Sequence, residues 1–451
     1  MKSKNITQIL CAFGFVLAIA GCKKVLEVGT PQNQLTTDKI FADSTSALAA
    51  MANVYALFNN TIDPNYNIYM DCYSDELQYS GSTDETLQYI QGSVAPSNTT
   101  NANFWKASYF AIYSANLIIE EAPKATNLTS KTAAQFVCEA KFLRALTYFH
   151  LINTYGTVPL ILKTDVNLSS KAAQSDSATV YKQIILDLTD AKNGLPATYL
   201  GAGKVRANQF AALALLAKVY LWQRDWVNAE ATASLVLGSG LYTPLPAITN
   251  VFSANSTETI LSFWTQFGYI YKSPDLVPSG GAPLYFYTLA QLNSFENGDQ
   301  RKLNWILPTT VSGTTYYSPY KYRNATANSI SPEYLIVLRA GEQYLIRAEA
   351  RAQQNNISGS ISDINVIRHR AGLGDYIGAI DKSSLLSAIY HERRSELFSE
   401  WGNRFLDLKR TGTLNLINSS SKSGWKPTGV VLPVPQYEMN TDPNLKQNQG
   451  Y

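Results

Sequence analysis

In these 451 residues the side chains suited to acid–base or metal chemistry are few, and they do not stand at working spacings. The three histidines, His150, His369 and His391, form neither an HExxH pair nor a Cys/His zinc spacing. His391 precedes Glu392 and Glu396, but no second histidine shares its helix face, so it reads as a surface residue of a charged helix. There is no GxSxG elbow and no glycine-rich phosphate loop, and no metal or cofactor is expected. Acidic residues are numerous enough to leave a glycosidase-type carboxylate pair open, yet none is singled out. The unusual feature is aromatic: 28 tyrosines and 7 tryptophans against 16% charged residues, many of them in polar stretches. A sugar ring has an apolar C–H face and a rim of hydroxyls, so an aromatic ring suits the face and Asn, Asp, Gln or Arg suit the rim. The candidate stacking residues are Tyr73, Tyr79, Tyr89, Trp264, Tyr269, Tyr285, Trp305 and Tyr317, with Asp75, Asn101 and Arg323 as hydroxyl partners. Trp264 and Trp305 rank first because indole offers the largest flat face.

A second chemistry is covalent. The chain opens Met-Lys-Ser-Lys, continues with an apolar run from Ile9 to Ala20, and reaches Ile19-Ala20-Gly21-Cys22 followed by Lys23 and Lys24. The run is shorter than the roughly 17–25 residues of a membrane-spanning helix, and its order is that of a signal peptide. The string before Cys22 resembles the bacterial lipobox, which implies cleavage after residue 21 and acylation of the Cys22 thiol. Two or three acyl chains hold a protein on a membrane, where one chain binds only marginally. Loss of residues 1–21 takes Lys2 and Lys4 and no acid, lowering the formal charge from +3 to +1, so no nucleic-acid partner is indicated. Cys72 and Cys138 then remain, as two free thiols or one bridge.

The elements that must position the aromatics are mostly helical. Residues 22–40 read as an extended tether. Helical periodicity begins at a cap at Asp43 or Ser44 and recurs around Trp105, Tyr109, Ile112 and Asn116, around Phe136 to Ile152 before Gly156, and from about 178 to 195. The stretch from Phe210 to Gly240 looks like a tetratricopeptide unit, two helices joined at Gln223-Arg224-Asp225 with small residues on the facing sides. Residues 340–353 read as half of another unit. Between 241 and 335, and again between 63 and 103, the period fades into long aromatic segments, and the loops 63–103 and 260–325 are expected to converge at one edge of the scaffold and hold the ligand site. Helices return over 338–372 and 385–410, and the tail from Val430 shows no helical period. The run from His391 to Arg410 reads as an architectural charge network pairing along its helix.

The ordered set of stretches resembles the SusD/RagB family of nutrient-binding outer-membrane lipoproteins: the lipobox, "FWKASYFAIYSANLII", "EAKFLRALTYFHLINTYGTVPLI", the 210–240 helix pair, "VLRAGEQYLIRAEA", "INVIRHRAGL", "ERRSELFSEWGNRFLDLKR" and the ending from Leu432. The resemblance implies a mainly α, tetratricopeptide-like helical-repeat scaffold with long irregular ligand-binding loops, divided into an N-terminal region 41–240 and a C-terminal region 241–451. It implies a non-catalytic protein, facing the cell exterior, that captures oligosaccharides and delivers them to a SusC-like TonB-dependent outer-membrane barrel. Peptide capture and a surface glycoside hydrolase are the alternatives. Framework positions carry over, among them Trp105, Asn116, Glu139, Arg144, Arg339, Glu396, Arg404 and Asp407. Ligand residues do not, because they lie in loops that vary among members.

Overall fold

The computed structural model describes residues 41, 43–58, 63–270, 272–278 and 280–451. Cys22, the expected signal peptide and the expected tether lie outside them. Helices begin where a short polar side chain can accept the first free backbone N–H groups. Asp43 caps α1 (Ser44–Leu57), Asn98 caps the helix Thr99–Glu121, Thr129 caps Ser130–Tyr155 and Asp176 caps Ser177–Gly194, each by accepting a backbone N–H three residues on. Asn208 and Asp225 do the same for the pair Gln209–Trp222 and Trp226–Gly238. Between the pair Arg224 adopts φ +58, a left-handed turn. Ala211, Ala214, Ala217, Ala229 and Ala233 are fully buried, so the two helices approach without a side chain between them.

From residue 99 onward each long helix packs on the next, through Ala340–Gln353 to Ile357–Arg370 and Lys382–Leu397. This is a mainly α, tetratricopeptide-like array, as the family resemblance implies. One apolar cluster runs from Phe41 to Leu445 and is continuous across residue 240. Cys72 and Cys138 are free thiols, the first buried.

The segment 63–103 is not the irregular loop expected. It contains the helices Asp63–Tyr73 and Asp84–Gln91, and its end joins the Thr99–Glu121 helix. The first reads as a loop in sequence because it is made mostly of Asp, Asn, Tyr and Pro, which favour helices poorly. The second is short, starts with Asp84 and Glu85 as the helix dipole favours, and buries only Thr86 and Tyr89. The tail likewise holds a helix at Gln436–Thr441.

Two antiparallel ladders organise the aromatic middle of the chain. Strand Leu77–Tyr79 pairs with Tyr285–Tyr287, bringing the 63–103 and 260–325 segments together. Strand Thr259–Phe263 pairs with Leu335–Arg339; both are buried at every residue, so the ladder clamps the base of the excursion 264–334 inside the core.

Candidate functional site

Trp264 is the first residue beyond that clamp, and it emerges 55% exposed, as does Phe267. The Phe267 ring stacks on Tyr269 with centroids 6.3 Å apart and planes 21° from parallel. This short aromatic shelf is strapped to the returning chain. Thr265 Oγ1 donates to the Glu333 carbonyl at 2.9 Å, Asn328 N donates to the Phe267 carbonyl at 2.9 Å, and Glu333 N donates to the Gly268 carbonyl at 3.0 Å. Asn324 Nδ2 bridges the Gly268 and Ser331 carbonyls, and Asn328 Nδ2 donates to Asn324 Oδ1. The Glu333 carboxylate accepts the backbone N–H groups of Arg323 and Asn324. Gly268 sits at φ +70, and a Cβ there would lie 2.1 Å from the Asn328 carbonyl oxygen, so only glycine lets the strands of chain approach this closely.

Between the shelf and residues 327–334 lies an open groove of about 380 Å³. Trp264, Phe267 and Tyr334 supply its apolar surface, and Gln266, Asn328 and Ser329 its hydrogen-bonding groups. No charged side chain lines it. Flat rings beside neutral donors and acceptors can bind an uncharged ligand that has both apolar faces and hydroxyls; nothing in the lining activates a nucleophile or moves a proton.

The candidates drawn from the sequence divide sharply. Trp264 lines the groove and Tyr269 supports it through Phe267. Trp305 does not present a face: it is 1% exposed, its Nε1 donates to the Ile248 carbonyl at 3.0 Å, Phe252 meets it edge-on, and the Lys321 ammonium lies 4.7 Å from its ring. Tyr73 and Tyr89 pack against each other in the core, with Tyr73 donating to the Gly429 carbonyl. Asn101 is fully buried, bonding the Pro433 carbonyl and accepting from Tyr155 Oη. Asp75 is buried and held by Arg404 at 2.6 and 2.9 Å. Tyr79 and Tyr285 face each other across their ladder at 5.2 Å, Tyr285 buried and Tyr79 half-exposed. Tyr317 is half-buried on the hairpin Ile306–Val311/Thr314–Pro319. Arg323 is half-buried and donates to the Asn304 carbonyl. Buried rings and acids with internal partners are core, so Tyr73, Asp75, Tyr89, Asn101, Tyr285 and Trp305 are corrected from ligand candidates to framework. Phe267, Gln266, Asn328 and Tyr334 were missed. Phe267 stood inside the aromatic string "LSFWTQFGYIY", and the glycine beside it was the available signal of a close chain approach.

The charged segment is architectural; Asp407 and Arg410 pair along their helix, but most of its partners lie on other elements. Arg339 reaches Glu396 and Glu400, Arg301 reaches Asp299, Glu392 and Glu396, and Arg370 also bonds Glu396, all buried. Burial alone would raise the Glu396 carboxyl, yet Arg370, Arg339 and Arg301 together hold it well below the usual range. Among the described residues no three His, Cys, Asp or Glu side chains converge as a metal-binding group.

Two family models match the chain, one described as starch-binding associating with outer membrane over residues 24–221, the other as SusD family over residues 306–451. The chain belongs to the SusD family. Trp264 and the first part of the aromatic excursion, up to residue 305, fall between the two matches. Two SusD-like proteins of Formosa agariphila are 22% and 24% identical to this SusD-family chain, each aligned over the whole of both chains. Among solved structures, a SusD superfamily protein of Bacteroides vulgatus has a TM-score of 0.78 at 21% identity, covering 91% of this chain and 100% of its own. A laminarin-binding SusD-like protein has a TM-score of 0.78 at 24% identity, with the same coverage. At such identities the likeness speaks for the fold.

Proposed function

We propose that this SusD-family protein is a non-catalytic, lipid-anchored glycan-binding protein of the outer-membrane surface. It captures a neutral oligosaccharide in the Trp264–Tyr334 groove and passes it to a SusC-like TonB-dependent barrel. The observation that carries the reading is the exposed Trp264–Phe267 shelf, which is held by its own hydrogen bonds and bordered by uncharged amide and hydroxyl groups. A large ring left in water beside a rigid backbone is what sugar stacking needs, and an uncharged rim favours hydroxyls over acids. Membership in a family described as starch-binding, and a laminarin-binding relative of the same fold, support the ligand class. The lipobox at Cys22 supports the anchor, and the family supports the barrel partner.

The test is a titration of Trp264→Ala and Phe267→Ala, each checked for fold by circular dichroism, with neutral glucan oligosaccharides. Aromatic contacts contribute about 0.5–1.5 kcal/mol beyond area burial, so each change should weaken binding roughly two- to twelve-fold. Wild-type affinity in both variants would move the site elsewhere.

A further inference from the structure

A larger cavity, about 590 Å³, lies within the helical array and shares no residue with the groove. It is bounded by residues of the helices Gln209–Trp222, Ala340–Gln353, Lys382–Leu397, Asn403–Arg410 and Leu414–Ser421. Its volume is that of a small-molecule site rather than of a packing defect. Trp222, Trp226 and Tyr390 give it flat apolar walls.

Its polar lining is unbalanced. The acids Glu349 and Asp407 are already engaged: Arg410 holds Glu349 at 2.6 and 2.8 Å and Asp407 at 2.7 Å, and Arg393 Nε holds Asp407 at 2.8 Å. What remains are donors. Nη1 and Nη2 of Arg393, whose side chain is fully buried, and Nε1 of Trp222 have no acceptor among the described residues. The Arg393 and Arg410 guanidinium groups flank the Trp222 ring at 5.8 and 4.7 Å. Arg224, exposed and in a left-handed conformation, adds a further positive charge to the lining. The remaining orphan atom of the lining with no ion pair is Glu76 Oε1, and burial pushes that carboxyl up to about 7, so it carries less than a full negative charge near neutrality.

Unmade hydrogen bonds on a buried guanidinium are costly and call for an acceptor, and a carboxylate matches the two-pronged guanidinium edge. We propose that this cavity binds a small organic acid, a carboxylate carried on a six-membered ring with an apolar face. The Arg393 edge and the Trp222 N–H take the carboxylate, and the ring lies among Trp222, Trp226 and Tyr390. A uronic acid and an aromatic acid share this chemistry.

Calorimetry and thermal melting on the detergent-solubilised full chain, with D-glucuronate, 4-hydroxybenzoate and nitrate as separate arms, test the assignment. At least one acid should bind saturably at millimolar concentration or below and raise the melting temperature more than nitrate does, and the arm that binds identifies the ring. Trp222→Phe removes the orphan N–H together with the five-membered ring of the indole, so it should cost some stability, as other large-to-small changes at buried sites do, while weakening the acid roughly three- to ten-fold. Arg393→Lys should weaken it further; if that variant does not fold, Trp222→Phe decides. Trp264→Ala should bind the acid like wild type, which separates this site from the glycan groove. Failure of both acids to bind, an equal response to nitrate, or unchanged affinity in Trp222→Phe would overturn the proposal.

Discussion

Trp264 and Trp305 stand in similar aromatic, polar surroundings in the sequence, and the structure gives them opposite roles. The difference comes from residues elsewhere in the chain: Ile248, Phe252 and Lys321 close around Trp305, whereas Trp264 is left 55% exposed. Sequence pattern reports residue type and neighbours, not which faces a distant segment will cover, so it ranked both equally. Trp305→Phe should therefore lower stability by about 1–3 kcal/mol, from the lost N–H bond and the space left behind, while the folded protein keeps its glycan affinity. Trp264→Ala should do the reverse, changing stability by no more than about 0.5 kcal/mol. Urea denaturation paired with titration separates the two. His150 supplies a pH test. It is buried among Tyr66, Phe149 and Trp401, and burial, with Lys218 beside it, depresses its imidazole from 6.5 to about 3. The unfolded chain thus takes up a proton below 6.5 that the folded chain refuses until about 3. Stability is intact above that window and falls as pH drops through it, at up to about 1.4 kcal/mol per pH unit. His150→Phe should flatten this slope in melts between pH 6.5 and 4; an unchanged slope would assign it to the carboxylates.

At the level of elements, the long helices were legible because apolar and small residues recur in them over many turns, and their caps fell at Asp43, Asn208 and Asp225. The helix Asp63–Tyr73 was not, since it is made mostly of Asp, Asn, Tyr and Pro, which favour helices poorly. The ladder between Thr259–Phe263 and Leu335–Arg339 was illegible for another reason: its partners are separated by the whole excursion it clamps. The charged C-terminal segment was recognised as structural; spacing suggested pairs within its helix, and Asp407–Arg410 is one, but most of the pairs join different elements. Arg404 ties its helix to Asp75, and Asp407 lies between Arg393 and Arg410. Burial alone would raise the Asp407 carboxyl, but those two guanidinium groups hold it at about 2. Removing one partner strands the others in a buried setting, which costs about 3–5 kcal/mol. Arg404→Ala and Asp407→Ala should each lower the melting temperature clearly while glycan affinity of the folded fraction stays near wild type. Selective loss of binding at unchanged stability would give the segment a ligand role instead.

For the whole molecule, the folded body and its attachment are separable. Phe41 is buried in the main core and α1 packs there from Ser44 onward, so the body is closed off by the time the chain reaches the expected tether. Eighteen residues between Cys22 and Phe41 could reach about 60 Å when extended, far enough to let the groove face away from the membrane. The groove is braced by hydrogen bonds among residues 264–334 and by a ladder inside the core, none of which involves the N-terminal segment. Among the described residues no helix is long and apolar enough to cross a membrane. On the proposed function, acylation of Cys22 supplies the membrane attachment, at about 0.8 kcal/mol per buried CH₂. Cys22→Ala should abolish incorporation of labelled fatty acid and shift the protein from outer-membrane to soluble fractions, while its melting temperature and its glycan affinity match the wild-type body. Retention of Cys22→Ala in washed outer membranes would show that a protein contact, with the barrel as first candidate, holds it there. A loss of glycan affinity on removing the lipid would mean that the N-terminal segment takes part in the site.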